Sequence, residues 1–373
     1  MRAEAATTDL RRVHVVLPGD IDDPTVPSGG NTYDRRVCQD LPTVGWSVGE
    51  LTVDGGWPRP DRAAAAALAA ALAVLPDGAV VLLDGLVACA VPEVVVPAAD
   101  RLRLAVLVHL PLADESGLAP DLAARLDAGE RRVLRAARAV VATSTWAADR
   151  LVDRHGLDPA RVHVAAPGVD AALPVAGTCS GGRLVCVASV TRRKGQDLLV
   201  EALATVTDLD WDCQLVGGLR RDPDFVDRVR RSIGEAGLDD RIRLTGPRTG
   251  DELAATYAAA DLTVLPSHAE TYGMVVTESL ARGVPVLATA VDGVPEALGH
   301  TPDGALPGIL VPAGDPAALA GAVRRWLSEP ELRARLRSAA VRRRTALAGW
   351  AATSQRLAGV LDQLRRDPGG HDE

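Results

Sequence analysis

Aromatic side chains are scarce in this sequence: one Phe, three Tyr and six Trp make up 3% of 373 residues, beside only two Met. Ala, Val, Leu and Gly must therefore fill the interior, and such small residues favour close packing of helices on sheets. Cysteine is sparse and unpatterned. Cys38, Cys89, Cys179, Cys186 and Cys213 are odd in number and form no CxxC pair or Cys/His cluster. That argues against a disulfide framework or a structural zinc site and for buried free thiols in a reducing compartment. Long apolar runs are missing too. The longest, Ala63 to Leu75, stops at Pro76 and is too short to span a bilayer. Met1 to Leu10 is polar and carries acidic residues, so no signal peptide is expected. The formal charge of −8 argues against nucleic acid as a partner while leaving room for a local basic pocket. The expectation is a soluble cytoplasmic protein, with membrane association possible but not indicated.

One motif is absent as well. A dinucleotide-binding dehydrogenase needs GxGxxG directly after a strand. Here Val13–Leu17 is followed by Pro18-Gly19-Asp20, and Gly29-Gly30 comes too late. Asp22-Asp23 and Asp239-Asp240 are adjacent carboxylate pairs, and Asp20, Asp22 and Asp23 read as solvated loop carboxylates rather than a metal site.

What the sequence does contain is a regular alternation. Apolar strands are expected at Val13–Leu17, Ala79–Leu83, Leu104–Val108, Ala139–Ala142 and Val162–Ala165, with helices at 31–41, 62–75 and 118–137 between them. After Pro167-Gly168-Val169-Asp170 comes a Pro-, Gly-, Ala- and Ser-rich stretch, 171–182, which reads as a linker and part of a hinge. A second series of strands follows at 184–188, 213–216, 242–245, 262–265, 284–288 and 308–311, and then an Arg- and Ala-rich helical region, 316–364. Continuous apolar strands separated by helices indicate parallel sheets buried on both faces. Two doubly wound domains are expected, residues 1–172 and 173–345, with 346–373 as a terminal helix and tail. Ligands of such sheets bind beyond the carboxyl ends of the strands, in a cleft that both domains can face.

The stretch Leu265-Pro-Ser-His-Ala-Glu-Thr-Tyr-Gly-Met-Val-Val-Thr-Glu-Ser-Leu-Ala-Arg-Gly-Val-Pro-Val-Leu287 reads strand, loop, helix, turn, strand. Glu270 precedes the helix and Glu278 lies on its second turn, roughly 12 Å further at helical rise. Between them the helix start offers N–H groups of Gly273, Met274 and Val275 and a positive dipole end. That order suits a sugar, a diphosphate and a ribose. A second stretch, Val187-Ala-Ser-Val-Thr-Arg-Arg-Lys-Gly-Gln-Asp-Leu-Leu199, puts Arg192, Arg193 and Lys194 in a loop at a strand's carboxyl end, where cations can neutralise a diphosphate. Ser28-Gly29-Gly30-Asn31-Thr32-Tyr33 lets backbone approach a ligand closely. His109 ends an apolar strand, and Asp84-Gly85 ends the one before it. Taken singly, each feature has a purely structural reading, and the role of Asp84 is open.

The Glu270–Glu278 segment resembles the retaining glycosyltransferases of family 4, whose hallmark is a glutamate pair seven residues apart in a context like E-G-F-G-L-V-x-x-E-A-x-A-x-G-x-P-V. Glu270, Gly273, Val275, Glu278, Ala281, Gly283, Pro285 and Val286 match; Tyr272 and Met274 are close substitutes, Thr271 replaces a Gly and Ser279 an Ala. Lys194-Gly195 matches the family's G-R-L-x-x-x-K-G element, whose arginine falls on Ser189, with Arg193 placed to substitute for it. The resemblance implies the GT-B fold, with residues 1–172 binding the acceptor, 173–345 binding the donor and the terminal helix crossing back to the first domain, and a nucleotide-diphosphate sugar, UDP- or GDP-linked, as co-substrate with no cofactor. It implies a donor-sugar contact for Glu270, a ribose contact for Glu278, and diphosphate contacts for Arg193 and Lys194. Gly29 and Gly30 would lie near phosphate and acceptor, His109 near the transferred sugar, and Arg248, in Gly246-Pro247-Arg248, at the base; Glu115 and Glu130 are weaker candidates. The implied route is metal-independent front-face transfer of a hexose-type sugar, with retention. The alternatives are a non-catalytic nucleotide-sugar-binding subunit and a related epimerase or phosphorylase. The acceptor is not legible.

Overall fold

The computed structural model describes residues 11–366 apart from Ser116 and Cys179. The expectations about Met1 to Leu10 and about Cys179 lie outside the described residues; Cys38, Cys89, Cys186 and Cys213 are free and buried. The chain packs as two units. One holds the residues up to Asp22, Gly30–Pro167 and the chain from Trp350 on; the other holds Asp23–Gly29 and Gly168–Gly349.

The first unit is built on six parallel strands: β1 (Arg12–Pro18), β2 (Ser47–Val53), β3 (Val80–Asp84), β4 (Arg103–Val108), β5 (Ala139–Ala142) and β6 (Val162–Val164), in the order β2-β1-β3-β4-β5-β6. The expected strands are all present within a residue or so, and β2 is added. β2 is an edge strand, polar at Ser47, Glu50 and Thr52 and largely half-exposed, so it lacks the continuous apolar run of its neighbours. Helices such as Arg62–Ala73 and Pro120–Ala136 cover the sheet, and Leu68, Leu72, Leu126 and Val133 share one core with Val81, Leu83, Leu104, Val106 and Val140. The last helix, Trp350–Arg366, packs here, as the sequence led us to expect. Thr353 Oγ1 donates to Ala166 O (2.8 Å), and Trp350 meets Tyr33 edge-on at 5.7 Å.

The second unit repeats the plan with β7 (Arg183–Val187), β8 (Asp212–Val216), β9 (Ile242–Gly246), β10 (Leu262–Leu265), β11 (Val286–Thr289) and β12 (Gly308–Val311), in the order β12-β11-β10-β7-β8-β9. Leu184, Cys186, Cys213, Leu215, Leu262, Val264 and Leu287 pack with Leu199, Leu203, Phe225, Val229 and Trp326 from the helices. In both sheets the order reverses beside the first strand, which places the carboxyl ends of β1/β3 and of β7/β10 at topological switch points. The stretch 171–182 belongs to the second unit, where Val175 N donates to Arg282 O (2.9 Å) and the Thr178 N–H reaches the Asp261 carboxylate. The terminal helical region comprises Pro316–Ser328, Pro330–Arg343 and Trp350–Arg366; Pro330 starts the second, where its missing N–H costs nothing.

Candidate functional site

In the second unit, β7 delivers the chain to a single 3-10 turn, Arg192–Lys194, and Gly195 then opens the helix Gln196–Ala204. Gly195 has φ +65°, and a Cβ there would sit 2.2 Å from Pro266 O. Glycine alone lets the cationic turn lie against the end of β10. The two segments are then stitched together. His268 N donates to Arg193 O (2.8 Å) and Arg193 Nη1 to Ala269 O (2.9 Å).

The junction closes on Glu270, which is 6% exposed. Its Oε1 accepts from Lys194 Nζ and from Ser267 Oγ (2.8 Å), and Oε2 lies 3.7 Å from Arg193 Nη1. Burial works against the carboxylate, but Lys194 and Arg193 outweigh it and hold Glu270 below the ordinary glutamate range, hence ionised. Burial pulls the Lys194 ammonium down, opposed by Glu270 and reinforced by Arg193. The Glu270 backbone is fixed from the other side. Its N–H donates to Asp292 Oδ2 (2.9 Å), and its carbonyl accepts from Gly293 N (2.9 Å). Asp292 adopts φ +48°, a region Asp tolerates better than most residues.

The helix Met274–Ala281 begins after Gly273, at φ +90°, and no side chain caps it. Val276 N donates to Gly273 O (2.9 Å), and the N–H groups ahead of it, at Met274 and Val275, are the donors a helix start leaves over at its positive dipole end. One turn and a half on, half-buried Glu278 accepts from Tyr257 Oη through Oε2 (2.9 Å). Arg282 covers the Tyr257 ring at 4.7 Å. Burial raises the Glu278 carboxyl, Tyr257 and Arg282 oppose, and Asp170 adds to the rise.

In the first unit His109 follows β4. Its Nε2 lies 2.8 Å from Asp34 Oδ1, with Asp34 2% exposed. Asp84, at the end of β3, is 4% exposed and accepts from Leu86 N (2.7 Å). Single side-chain N or O atoms of Asp34, Asp84 and His109 all lie within 4.8 Å of one another. The expectation of no metal rested on the loop carboxylates. Of these, Asp22 is paired with Arg35 (2.7 Å) and Asp23 Oδ1 accepts from Thr25 N (2.8 Å).

The sequence candidates thus separate into groups. Arg193, Lys194 and Glu270 meet directly, and Tyr272, Gly273, Met274, Val275 and Glu278 continue from Glu270 along one loop and helix. Gly30 meets His109 in the first unit; Gly29 begins the same helix, Gly29–Asp40. Ser189, where the family arginine falls, offers its carbonyl to Gln196 Nε2 (3.1 Å), and the side chain that reaches Glu270 is that of Arg193. Arg248 is tied to Gln214 Oε1 (3.0 Å) and Thr256 Oγ1 (2.7 Å). Glu130 is buried, accepts from Leu112 N (3.2 Å) and pairs with His155 (3.1 Å), a supporting role. Glu115 follows the 3-10 turn Leu112–Asp114. Sequence reasoning passed over Asp34, Tyr257, Ser267 and Asp292. Only Asp34 carried a local signal, four residues after Gly30 and so on the same helical face.

Two family models match the chain, one described as glycosyl transferases group 1 over residues 182–343 and one as Glycosyltransferase Family 4 over residues 86–173. Among curated relatives, D-inositol 3-phosphate glycosyltransferase 1 of Catenulispora acidiphila is 34% identical over 278 residues, covering 69% of this chain and 64% of that protein. D-inositol 3-phosphate glycosyltransferase of Thermomonospora curvata is 36% identical, covering 65% and 60%. The chain spans about three-fifths of the length of these relatives. Among solved structures, sucrose-phosphate synthase of Thermosynechococcus elongatus superposes with a TM-score of 0.77 at 23% identity, covering 95% of this chain and 99% of that one. HepE of Anabaena in complex with UDP-glucose gives 0.73 at 18%, covering 94% and 99%. At such identities the likeness establishes the fold, the GT-B class expected from the sequence.

Proposed function

The chain belongs to glycosyltransferase family 4, and on that footing we propose that it transfers a hexose-type sugar from a UDP- or GDP-sugar to an acceptor, with retention and without a metal. The observation that carries this reading is the cluster in the second unit: Lys194 and Arg193 on one side of buried Glu270, an uncapped helix start beside it, and Glu278 further along the same helix. In this proposal Lys194, Arg193 and the first-turn N–H groups of Gly273, Met274 and Val275 take the diphosphate, Glu270 orients the sugar, and Glu278 takes the ribose hydroxyls. Tyr272 borders the sugar. Arg248, held by Gln214 and Thr256, would edge the base through its backbone.

The chemistry asked of these groups is electrostatic. As the bond from the anomeric carbon to the diphosphate oxygen breaks, negative charge grows on that oxygen, and Lys194, Arg193 and the helix dipole would stabilise it. The acceptor hydroxyl attacks from the same face and gives its proton to the departing oxygen, so no protein nucleophile is needed. Cations in place of Mg²⁺ make metal independence the expectation, and the nucleotide sugar is a co-substrate rather than a cofactor. For His109 and Gly30, in the first unit, the proposal keeps the roles that the resemblance implies.

The test is incubation with UDP- and GDP-hexoses, first alone for donor hydrolysis and then with acceptors. D-inositol 3-phosphate comes first because the relatives carry it in their names. Transfer that survives EDTA and yields the donor's anomeric configuration by NMR supports the proposal. Tight donor binding with neither hydrolysis nor transfer would favour a non-catalytic nucleotide-sugar-binding subunit instead.

A further inference from the structure

The helix Gly29–Asp40 turns one face toward a single imidazole. A Cβ on Gly30 would lie 3.1 Å from His109 Cδ2, so the ring packs directly on the helix backbone. One turn on, the Tyr33 ring meets His109 edge-on, with centroids 5.2 Å apart, and is itself anchored by its hydroxyl donating to Ala165 O (2.8 Å). Next to it, Asp34 Oδ1 sits 2.8 Å from His109 Nε2. Positions i, i+3 and i+4 of one helix thus hold one ring. The other Asp34 oxygen, Oδ2, is buried and accepts no N–H or hydroxyl proton. Such an oxygen is costly unless something donates to it. The neighbouring group is the carboxyl of Asp84, within the same 4.8 Å cluster and itself buried.

We propose that Asp34 is a positioning residue that locks His109 as an imidazolium, and that Asp84 is a carboxylic acid whose proton is shared with Asp34 Oδ2. This rests on the reading of His109 as a sugar contact but makes a separate claim. His109 presents a fixed cation to the transferred sugar or acceptor, and it is not the base that removes the acceptor proton. The charges balance without a further ion, since one imidazolium and one carboxylate cancel and the second carboxyl is neutral. Burial disfavours the charged ring, but Asp34 and then Asp84 more than offset it, raising His109 to about 9. Burial, with Asp34 next to it, raises Asp84 to about 8, while His109 and the Leu86 N–H oppose. Tyr33, packed on the ring, is held neutral by burial and by the Asp34 charge, with Arg356 opposing.

The test needs neither donor nor acceptor. Full-length protein labelled with ¹⁵N at histidine, with the His109 signals assigned by comparison with His109→Gln, is titrated from about pH 5 to about pH 10. Both His109 nitrogens should stay at imidazolium shifts through neutrality in the wild type. Asp34→Asn should lower the midpoint by roughly 2 pH units, because a directly bonded counter-charge is lost. Asp84→Asn, keeping a donor toward Asp34, should leave His109 protonated at neutral pH. A wild-type His109 that deprotonates below neutrality, or an Asp34→Asn midpoint equal to the wild type's, overturns the proposal. So does selective broadening of His109 by added Mn²⁺, which would make the cluster a cation site. The wild-type titration decides even if a variant fails to fold, and an inactive protein with the expected titration would refute the transferase reading while leaving this one standing.

Discussion

Glu270→Gln isolates the charge at the centre of the donor site. The carboxylate is 6% exposed, bonded to Lys194 and Ser267 and 3.7 Å from Arg193. The amide keeps the shape and can still accept from Ser267, but two half-buried cations lose their counter-charge. Removing one partner of a buried ion pair costs roughly 3–5 kcal/mol, and the retained shape places this variant at the low end. For a unit of this size each kcal/mol moves Tm by about 2–4 °C, so the expected fall is roughly 6–12 °C by calorimetry of the full chain. The same variant should gain more from an added anion than the wild type does. Inorganic pyrophosphate or UDP supplies the missing negative charge to Lys194 and Arg193, and a ligand at about 100 times its Kd adds about 2.7 kcal/mol. A variant that melts within about 2 °C of wild type, or that gains no more from pyrophosphate than wild type, would refute the reasoning that Glu270 balances a diphosphate-binding pair.

Lys194→Ala removes one of the charges aimed at the leaving oxygen and should lower turnover about 10²-fold, measured as nucleoside diphosphate release. Tyr257→Phe removes the hydroxyl bonded to Glu278 and should weaken UDP or GDP binding by about 0.5–1.5 kcal/mol in calorimetric titration, less than Glu278→Ala does. Gly195→Ala forces a Cβ to 2.2 Å from Pro266 O at φ +65° and should destabilise the fold by more than about 1 kcal/mol in urea unfolding. Stability should fall as pH rises from about 7 to 9. His109, raised to about 9, contributes fully below its unfolded value of 6.5 and loses that contribution through 9. Asp84, raised to about 8, also keeps the folded chain holding more protons than the unfolded one. The loss attributable to His109 is on the order of 2–3 kcal/mol, and a His109→Gln variant should show a flatter Tm profile over that range.

Most of the scaffold was legible because parallel strands buried on both faces leave uninterrupted apolar runs such as Val80 to Leu83 and Ala139–Ala142. β2 escaped because an edge strand need not be apolar, and its Ser47, Glu50 and Thr52 hide the signal. The donor segment was legible for a different reason. Its chemistry lies in consecutive residues, from Glu270 through the helix start to Glu278. What escaped was assembled by topology. Tyr257 reaches Glu278 from another helix, Asp292 reaches the Glu270 N–H from the loop after β11, and Asp34 reaches His109 across 75 positions. Arg248 shows the converse, since a cation well placed in sequence is spent on Gln214 and Thr256 inside the unit.

A crystal structure with UDP or GDP bound would bear most directly on the donor site. The diphosphate oxygens should lie within hydrogen-bond distance of Lys194 Nζ and of the Met274 and Val275 N–H groups, with the ribose hydroxyls on the Glu278 carboxylate. A nucleotide bound elsewhere, with Lys194 still engaged only by Glu270 and Glu278 only by Tyr257, would contradict it.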